Sequence, residues 1–289
     1  MTRAIDHLVL CVRDLDAARA FYVRLGFTTT PRAVHPWGTA NFLAQMQGNF
    51  LEMLTVADRA RIPPARAGGF GFGRFNADFL AKREGFSMLV LQSRDARADQ
   101  KAFAKAGLDT YPPFDFERQA TLPDGSKAQV AFSLAFVTHP GMQEAAFFTC
   151  QQHAPQYFWK PEYQKHANGA VRVTEVVMRA TDPAAFADFF ARLQGPDAVT
   201  KGRGSLEVRA GAGKITVLDA AGAARRYPGM EFGGDAAGPV FIGYRVAVAD
   251  PGVVENLLKK NGVSALAHNG APVVAPNDAF GAAVEFAAA

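Results

Sequence analysis

A strand–turn–helix block recurs four times along the chain, and this repetition constrains the fold more than any other feature. Residues 5–27 read IDHLVLCVRDLDAARAFYVRLGF and residues 85–108 read GFSMLVLQSRDARADQKAFAKAGL. Residues 173–195 read VTEVVMRATDPAAFADFFARLQG and residues 241–263 read FIGYRVAVADPGVVENLLKKNGV. Each block opens with an apolar, strand-like run that ends in an aspartate: Asp14, Asp95, Asp182 or Asp250. Each continues as a helix that ends at a glycine (Gly26, Gly107, Gly195 or Gly262), with Asp-to-Gly separations of 12, 12, 13 and 12 residues. An aspartate at the start accepts from the free N–H groups of a first helical turn, and a glycine at the end takes the left-handed conformation that closes the last one. The aspartates lie 81, 87 and 68 residues apart, too far for the roughly 20–50-residue period of a solenoid. The chain therefore reads as four copies of a small α+β module.

Length and composition agree with that reading. At about 150 residues per domain, 289 residues make two domains of two modules each. The expected division is 1–150, with an insertion at 57–84, then a connector at 151–170 and a second pair at 171–289. With 49% hydrophobic and 20% charged residues, the chain is an ordinary globular sequence that buries a core. The net charge of +4 is scattered, with no Lys/Arg block. Nucleic acid and membrane surfaces are therefore not expected partners, whereas a small molecule, anionic or aromatic, is. Cys11 and Cys150 both sit in apolar runs and read as buried thiols. No apolar run reaches the ~18 residues of a membrane span, and no signal peptide is evident. A soluble cytoplasmic protein is expected.

Within the first module, short strands are expected at residues 28–33, 38–45 and 49–56 after the helix, giving β-α-β-β-β. The insertion carries GGFGFG (68–73), whose spacing matches no phosphate loop and reads as a flexible loop or lid, then a helix-like stretch at 75–85. In the second module, strands are expected at 127–138 and 144–150, with a hairpin signal at Pro123-Asp124-Gly125. The connector, QQHAPQYFWKPEYQKHANGA, is aromatic and aperiodic. A Gly/Ala/Arg loop at 221–238 separates modules three and four, and the last strand carries Glu285.

Several side chains stand out chemically. His7 is a lone imidazole in an aliphatic strand, and Glu52 a lone carboxylate in another; alone, His7 reads as a hydrogen-bonded core residue. His35, Trp37 and Asn41 share one turn-rich segment, either capping backbone or rimming a pocket. Arg118 follows an aromatic stretch and is either a surface ion-pair partner or a bidentate anchor for a carboxylate or phosphate. Phe158 and Trp159 either line an apolar pocket or seal the two halves. His139 and His268 read as surface positions, and His166 as a turn-stabilising residue.

Four such modules, with His7 in IDHLVLCVRD, the HPWGTAN segment, Leu51-Glu52, GRFNADFLAKREG and the aromatic connector, resemble the vicinal-oxygen-chelate superfamily. That group includes glyoxalase I, extradiol dioxygenases and bleomycin-resistance proteins, and the glyoxalase-like branch is the nearest in pattern. The resemblance implies two cupped mixed sheets, each built from a module pair, with metal-ligand positions on the first and last strands of each module. In the N-terminal pair these fall at His7, Glu52, Met88 and Phe147 or Phe148. In the C-terminal pair they fall near Glu175, Thr216 or Val217, Gly243 or Tyr244, and Glu285. A divalent ion (Fe, Mn, Ni or Zn) on His7 and Glu52 would need a further ligand, for which His153 and Gln151 are the candidates. His35, Trp37, Asn41, Arg118, Phe158 and Trp159 would contact substrate. The implied activity is that of a metal-dependent lyase, isomerase or dioxygenase acting on a small vicinal-oxygen compound. Without metal, Glu52 and His7 would serve in acid–base catalysis. The competing class is a metal-free binding protein of the bleomycin-resistance type. The C-terminal pair reads as degenerate, a scaffold or the surface of a homodimer.

Overall fold

The computed structural model describes residues 2–64, 68–121, 125–234 and 238–289. The first module is β1 (Ile5–Cys11), α1 (Leu15–Arg24), β2 (Ala33–Val34), β3 (Thr39–Gln45) and β4 (Phe50–Val56). The insertion forms α2 (Phe72–Lys82). The second module is β5 (Gly85–Gln92), α3 (Ala96–Lys105), β6 (Asp109–Thr110), β7 (Phe114–Thr121), β8 (Lys127–Thr138) and β9 (Ala146–Gln152), and the connector holds the short α4 (Pro155–Phe158). The third is β10 (Ala170–Arg179), α5 (Ala187–Gln194), β11 (Val199–Gly202), β12 (Ser205–Ala210) and β13 (Gly213–Leu218). After α6 (Ala220–Arg226), the fourth is β14 (Val240–Val248), α7 (Pro251–Lys260), β15 (Leu266–His268), β16 (Ala271–Val274) and β17 (Ala283–Ala288).

Modules one and two share one mixed sheet in the order β2-β3-β4-β1-β5-β9-β8-β6, with β7 paired to β8; modules three and four share another, β11-β12-β13-β10-β14-β17-β16-β15. The central strands β1 and β5 run antiparallel, as do β10 and β14. The α+β modules are those the sequence pattern predicted, and the two cupped sheets are those the resemblance implied. All four block aspartates cap helical turns: Asp14 Oδ1, for instance, accepts from the N–H groups of Asp16 and Ala17 at 3.0 and 2.9 Å. The third block differs, because Pro183 opens a 3-10 turn (Pro183–Phe186) that Asp182 caps before α5 begins. Gly26 ends α1 at φ +91°, and a Cβ there would strike Leu257 and Asn168, so the sharp exit is open only to glycine.

Three elements depart from the sequence reading. Strand β7 alternates polar and aromatic residues too evenly to stand out as an apolar run, yet it pairs with β8 from Phe114↔Leu134 to Thr121↔Lys127. The hairpin signal that joins them, at Pro123-Asp124-Gly125, lies largely outside the described residues. The supposed loop at 221–238 opens with a helical turn, α6, capped by Asp219. Helix α2 begins at Phe72, inside the Gly-rich stretch, just after Phe70, which stacks on Phe136 at 4.2 Å.

The inner faces of both sheets and the apolar faces of α1, α3, α5 and α7 form one continuous core. Phe86 of β5 stacks on Phe241 of β14 at 4.1 Å. Tyr22 of α1 meets Tyr244 of β14 through a hydroxyl pair at 2.7 Å, both rings fully buried. Among the described residues no helix is long and apolar enough to cross a membrane. Removing one hydroxyl of that pair strands its partner in apolar surroundings. Tyr22→Phe is therefore expected to cost about 1–3 kcal/mol, read as a lower denaturant midpoint, with Tyr22→Phe/Tyr244→Phe costing less than the sum of the two single changes.

Candidate functional site

The strands that feed the shared core turn their other faces outward into the cups. Along β1 a bulge falls between Ile5 and His7; Ile5, Leu8 and Leu10 face the shared core, while Val9 and Cys11 belong to the cup interior. The extra residue, Asp6, shifts the alternation so that His7 faces into the cup. Parallel pairing of β1 with β4 sets Val9 against Glu52 and His7 against Phe50. In β9, Phe148 and Cys150 take the cup face, and in β7 Phe114, Phe116 and Arg118 alternate onto it.

These side chains enclose a cavity of about 60 Å³. His7 lies on Phe50 with ring centroids 4.2 Å apart and meets Phe148 edge-on. Its Nδ1 faces the buried Asp6 Oδ1 at 2.6 Å, and its Nε2 is 3.6 Å from Glu52 Oε2. The other carboxylate oxygen of Glu52 accepts from Asn41 Nδ2 at 2.5 Å. Asp6 thus fixes the imidazole orientation and aims Nε2 at Glu52. Asn41 Oδ1 and Trp37 Nε1 are buried without partners among the described residues. His35 stacks on Trp37 at 4.8 Å, and its Nδ1 meets Thr39 Oγ1 at 2.8 Å. Burial pushes the His35 pKa down to about 4; Arg118 adds to that fall and Glu52 opposes it. At neutral pH His35 is an uncharged imidazole. Arg118 is half-buried and, among the described residues, has no ion-pair partner; burial pulls its pKa down and Glu52 opposes that.

Of the residues singled out in the sequence, the cavity brings together His7, His35, Trp37, Asn41, Glu52, Arg118 and Phe158. Gln45 pins Phe158 there, its amide donating to the Phe158 carbonyl at 2.8 Å and accepting from Lys160 N at 3.1 Å. Three others are placed elsewhere. Gln151 is offset by one residue from the cup-facing Cys150, so its Oε1 accepts from Ala96 N at the start of α3. His153 lies past the end of β9, where its Nε2 meets Ser133 Oγ at 2.8 Å. Trp159 stands behind the wall, edge-on to Phe50 and Phe158. His166 acts in the connector, bridging the Thr28 N–H and the Gln45 carbonyl. Asp6 was not legible as a site residue; a charge beside the lone imidazole in an apolar run was its only signal. The thiols are inert: burial lifts Cys11 to about 12 and Cys150 well above its ordinary value.

The donor set does not fit the divalent ion that the resemblance implies. Such an ion with an open position takes about three protein ligands. Among the described residues no group of three or more His, Cys, Asp or Glu side chains could hold one. Two of the four strand positions are Met88 and Phe148, which leaves one imidazole and one carboxylate. Gln151 and His153 are turned away to other partners.

The equivalent positions in the second cup are closed by charge. Glu175 Oε2 and Glu285 Oε2 each accept from Arg226 Nη2 at 2.8 Å, and Thr216 donates to Glu175 at 2.6 Å. Arg245 adds a contact to Glu285 at 2.6 Å. Burial works against the charged Glu175, but Arg226 outweighs it and holds the carboxyl below its usual range. Gly243, not Tyr244, falls on this face, since Tyr244 belongs to the shared core. The guanidinium of α6, absent from any sequence pattern, occupies the centre of the cup.

Two outcomes follow from these electrostatics. Arg226→Met removes the guanidinium that both buried carboxylates share, leaving Arg245 as the one close cation they have in common among the described residues, and is expected to cost about 3 kcal/mol in urea unfolding. For His35, the unfolded chain binds a proton near the ordinary 6.5 and the folded one only near 4. Stability conferred by the neutral ring is thus complete above pH 6.5 and is lost as pH falls towards 4. That loss is on the order of 3 kcal/mol, and His35→Gln is expected to remove this part of the pH dependence of the unfolding midpoint.

The sequence profile of the family described as "Glyoxalase-like domain" matches residues 5–194. No curated protein matches the sequence. Among solved structures, a hypothetical protein from Staphylococcus aureus superposes with a TM-score of 0.71 at 12% identity, over 99% of each chain. A triple mutant of 4-hydroxymandelate synthase from Streptomyces coelicolor gives a TM-score of 0.59 at 13% identity, over 99% of this chain and 92% of that one. A xylose isomerase-like TIM barrel/4-hydroxyphenylpyruvate dioxygenase fusion protein gives 0.53 at 15% identity, over 92% of this chain and 40% of the other. Identities this low speak to the fold alone, and it is the same paired-sheet fold. The profile match takes in the whole first cup, the connector and the start of the second sheet, and on that ground the chain belongs to the glyoxalase-like domain family of the vicinal-oxygen-chelate superfamily.

Proposed function

We propose that the N-terminal cup binds a small oxygen-bearing molecule and moves a proton on it, in a lyase or isomerase reaction, with Glu52 as the base and His7 as its proton partner. The observation that carries this reading is the line Asp6–His7–Glu52 at the floor of an aromatic cavity. One Glu52 oxygen is held by Asn41, and the other is left to His7 Nε2 and the cavity. A carboxylate oriented this way in a water-poor enclosure can abstract a proton next to a carbonyl. The uncharged His35 and the unpartnered Trp37 Nε1 supply polar contacts at the developing enolate oxygen.

Volume narrows the substrate. The cavity of about 60 Å³ holds a few waters at ~10–15 Å³ each and is well short of the ~150 Å³ that admits benzene. The inserted group is thus smaller than an aromatic ring, such as a hydroxy-ketone or keto-acid head. A second reading, sequestration of a small molecule without turnover, draws support from the near-continuous aromatic wall.

The test is hydrogen–deuterium exchange at the carbon next to the carbonyl of hydroxyacetone and pyruvate, followed by NMR in deuterated water. The native protein is expected to accelerate exchange, and Glu52→Gln to slow it by about 10²–10⁴-fold. Equal exchange in the folded Glu52→Gln protein would overturn the assignment of the base. Binding of these compounds without any accelerated exchange would favour sequestration.

A further inference from the structure

Beside the cup lies a larger cavity of about 370 Å³, and the two share Asn41, Leu43, Arg118 and Phe158 in their walls. Arg118 therefore stands at a neck between them. The outer chamber adds Arg32 and Lys160, and among the described residues its lining includes no aspartate or glutamate. Arg32 has one distant partner, Asp16 at 3.9 Å on the open surface. Lys160 Nζ is occupied by a neutral acceptor, the Gln156 carbonyl at 3.2 Å. The rim carries exposed apolar area at Val34 and Tyr157. Three cations, of which only Arg32 has an ion pair among the described residues and Arg118 is half-buried with Glu52 across the cup, form an electropositive throat.

The cup side of the neck carries a second, independent signal. Asn41 is almost wholly buried, and its Nδ2 is committed to Glu52, which fixes the amide orientation and leaves Oδ1 as an acceptor without a partner among the described residues. A ligand passing the neck meets in turn a donor-seeking oxygen at Asn41, an acceptor-seeking N–H at Trp37 and a planar cation at Arg118. A buried acceptor left unmade is costly, and a half-buried guanidinium gains most from an anion that binds both of its arms.

We infer that the ligand is a short hydroxy- or oxo-compound carrying an anionic group, carboxylate or phosphate, whose oxygenated head enters the cup while its anion is held at the neck by Arg118, with Lys160 and Arg32 drawing it in from the outer chamber. This deepens the reading of the cup as a small-molecule site and rests on it. Among molecules small enough for the cup, neutral ones leave Arg118 without an ion pair, so charge sets the selectivity within that size class.

Two matched pairs test this by calorimetric titration of the full chain: dihydroxyacetone phosphate against dihydroxyacetone, and levulinate against 2-pentanone. Trp37 fluorescence in a Trp159→Phe background reports entry into the cup, since the chain has two tryptophans. In at least one pair the charged member is expected to bind about tenfold or more tightly than the neutral one. That preference is expected to weaken with salt, vanish in Arg118→Gln and shrink in Lys160→Gln. Discrimination in only one pair identifies the anion as phosphate or carboxylate. Equal binding of charged and neutral members, or a preference that survives Arg118→Gln, overturns the inference while leaving the cup as a binding site. Absence of any Trp37 response to all four compounds overturns both. Glu52→Gln is expected to keep the anion preference, so a failure of the proton-transfer reading is seen separately.

Discussion

Strand β1 has to serve two interiors at once, and the rest of the molecule follows from how it does so. Leu8 and Leu10 go to the core shared by both sheets, while His7, Val9 and Cys11 go to the cup. A strand buried on both faces has no solvent side on which to place a polar residue cheaply. His7 is tolerated because Asp6, the bulged residue beside it, supplies a hydrogen-bond partner at 2.6 Å in the same buried region. The bulge does two things in one step: it re-aims the imidazole and provides the carboxylate that orients it. Moving the bulge by one residue would send His7 into the shared core, where nothing would satisfy it.

The two halves start from the same topology and reach opposite electrostatic ends. In the second cup the inward carboxylates Glu175 and Glu285 are spanned by Arg226 and Arg245, leaving a closed network with no unpaired acid at its centre. In the first, Glu52 has a neutral amide and an imidazole for neighbours, and Arg118 stands back at the neck without an ion pair among the described residues. Buried charge that has been internally matched is structural; charge held near a cavity and left unmatched is available to a ligand. The difference arises from the segments between strands: α6 delivers Arg226 into one cup, while β7 and the connector build an aromatic neck over the other.

The shared core explains why a chain with one evident cup keeps a second. The four module helices, together with contacts such as Phe86 on Phe241 and Tyr22 on Tyr244, close the back of each sheet only when both are present. The second sheet is thus part of what holds β1, β4 and β5 in register, and through them His7 and Glu52.

Much of this architecture was legible in the chain itself. Local signals, an aspartate that caps and a glycine that closes, are short-range and survive as sequence, so the four modules and their order could be read from spacing. Short apolar runs placed His7 and Glu52 on strands, and aromatic clustering marked the connector. What the sequence could not decide were the faces and the partners. A one-residue offset sends Gln151 to α3 and Cys150 to the cup. The bulge at Asp6 cannot be seen without its pairing strand, and β7 has no apolar run to announce it. Whether Arg226 fills a site or Arg118 leaves one open depends on residues tens to hundreds of positions away. The sequence by itself determined the modules, because capping signals and apolar runs act within a few residues; the tertiary structure decided which cup stays open, because matching a buried charge requires partners that only folding brings together.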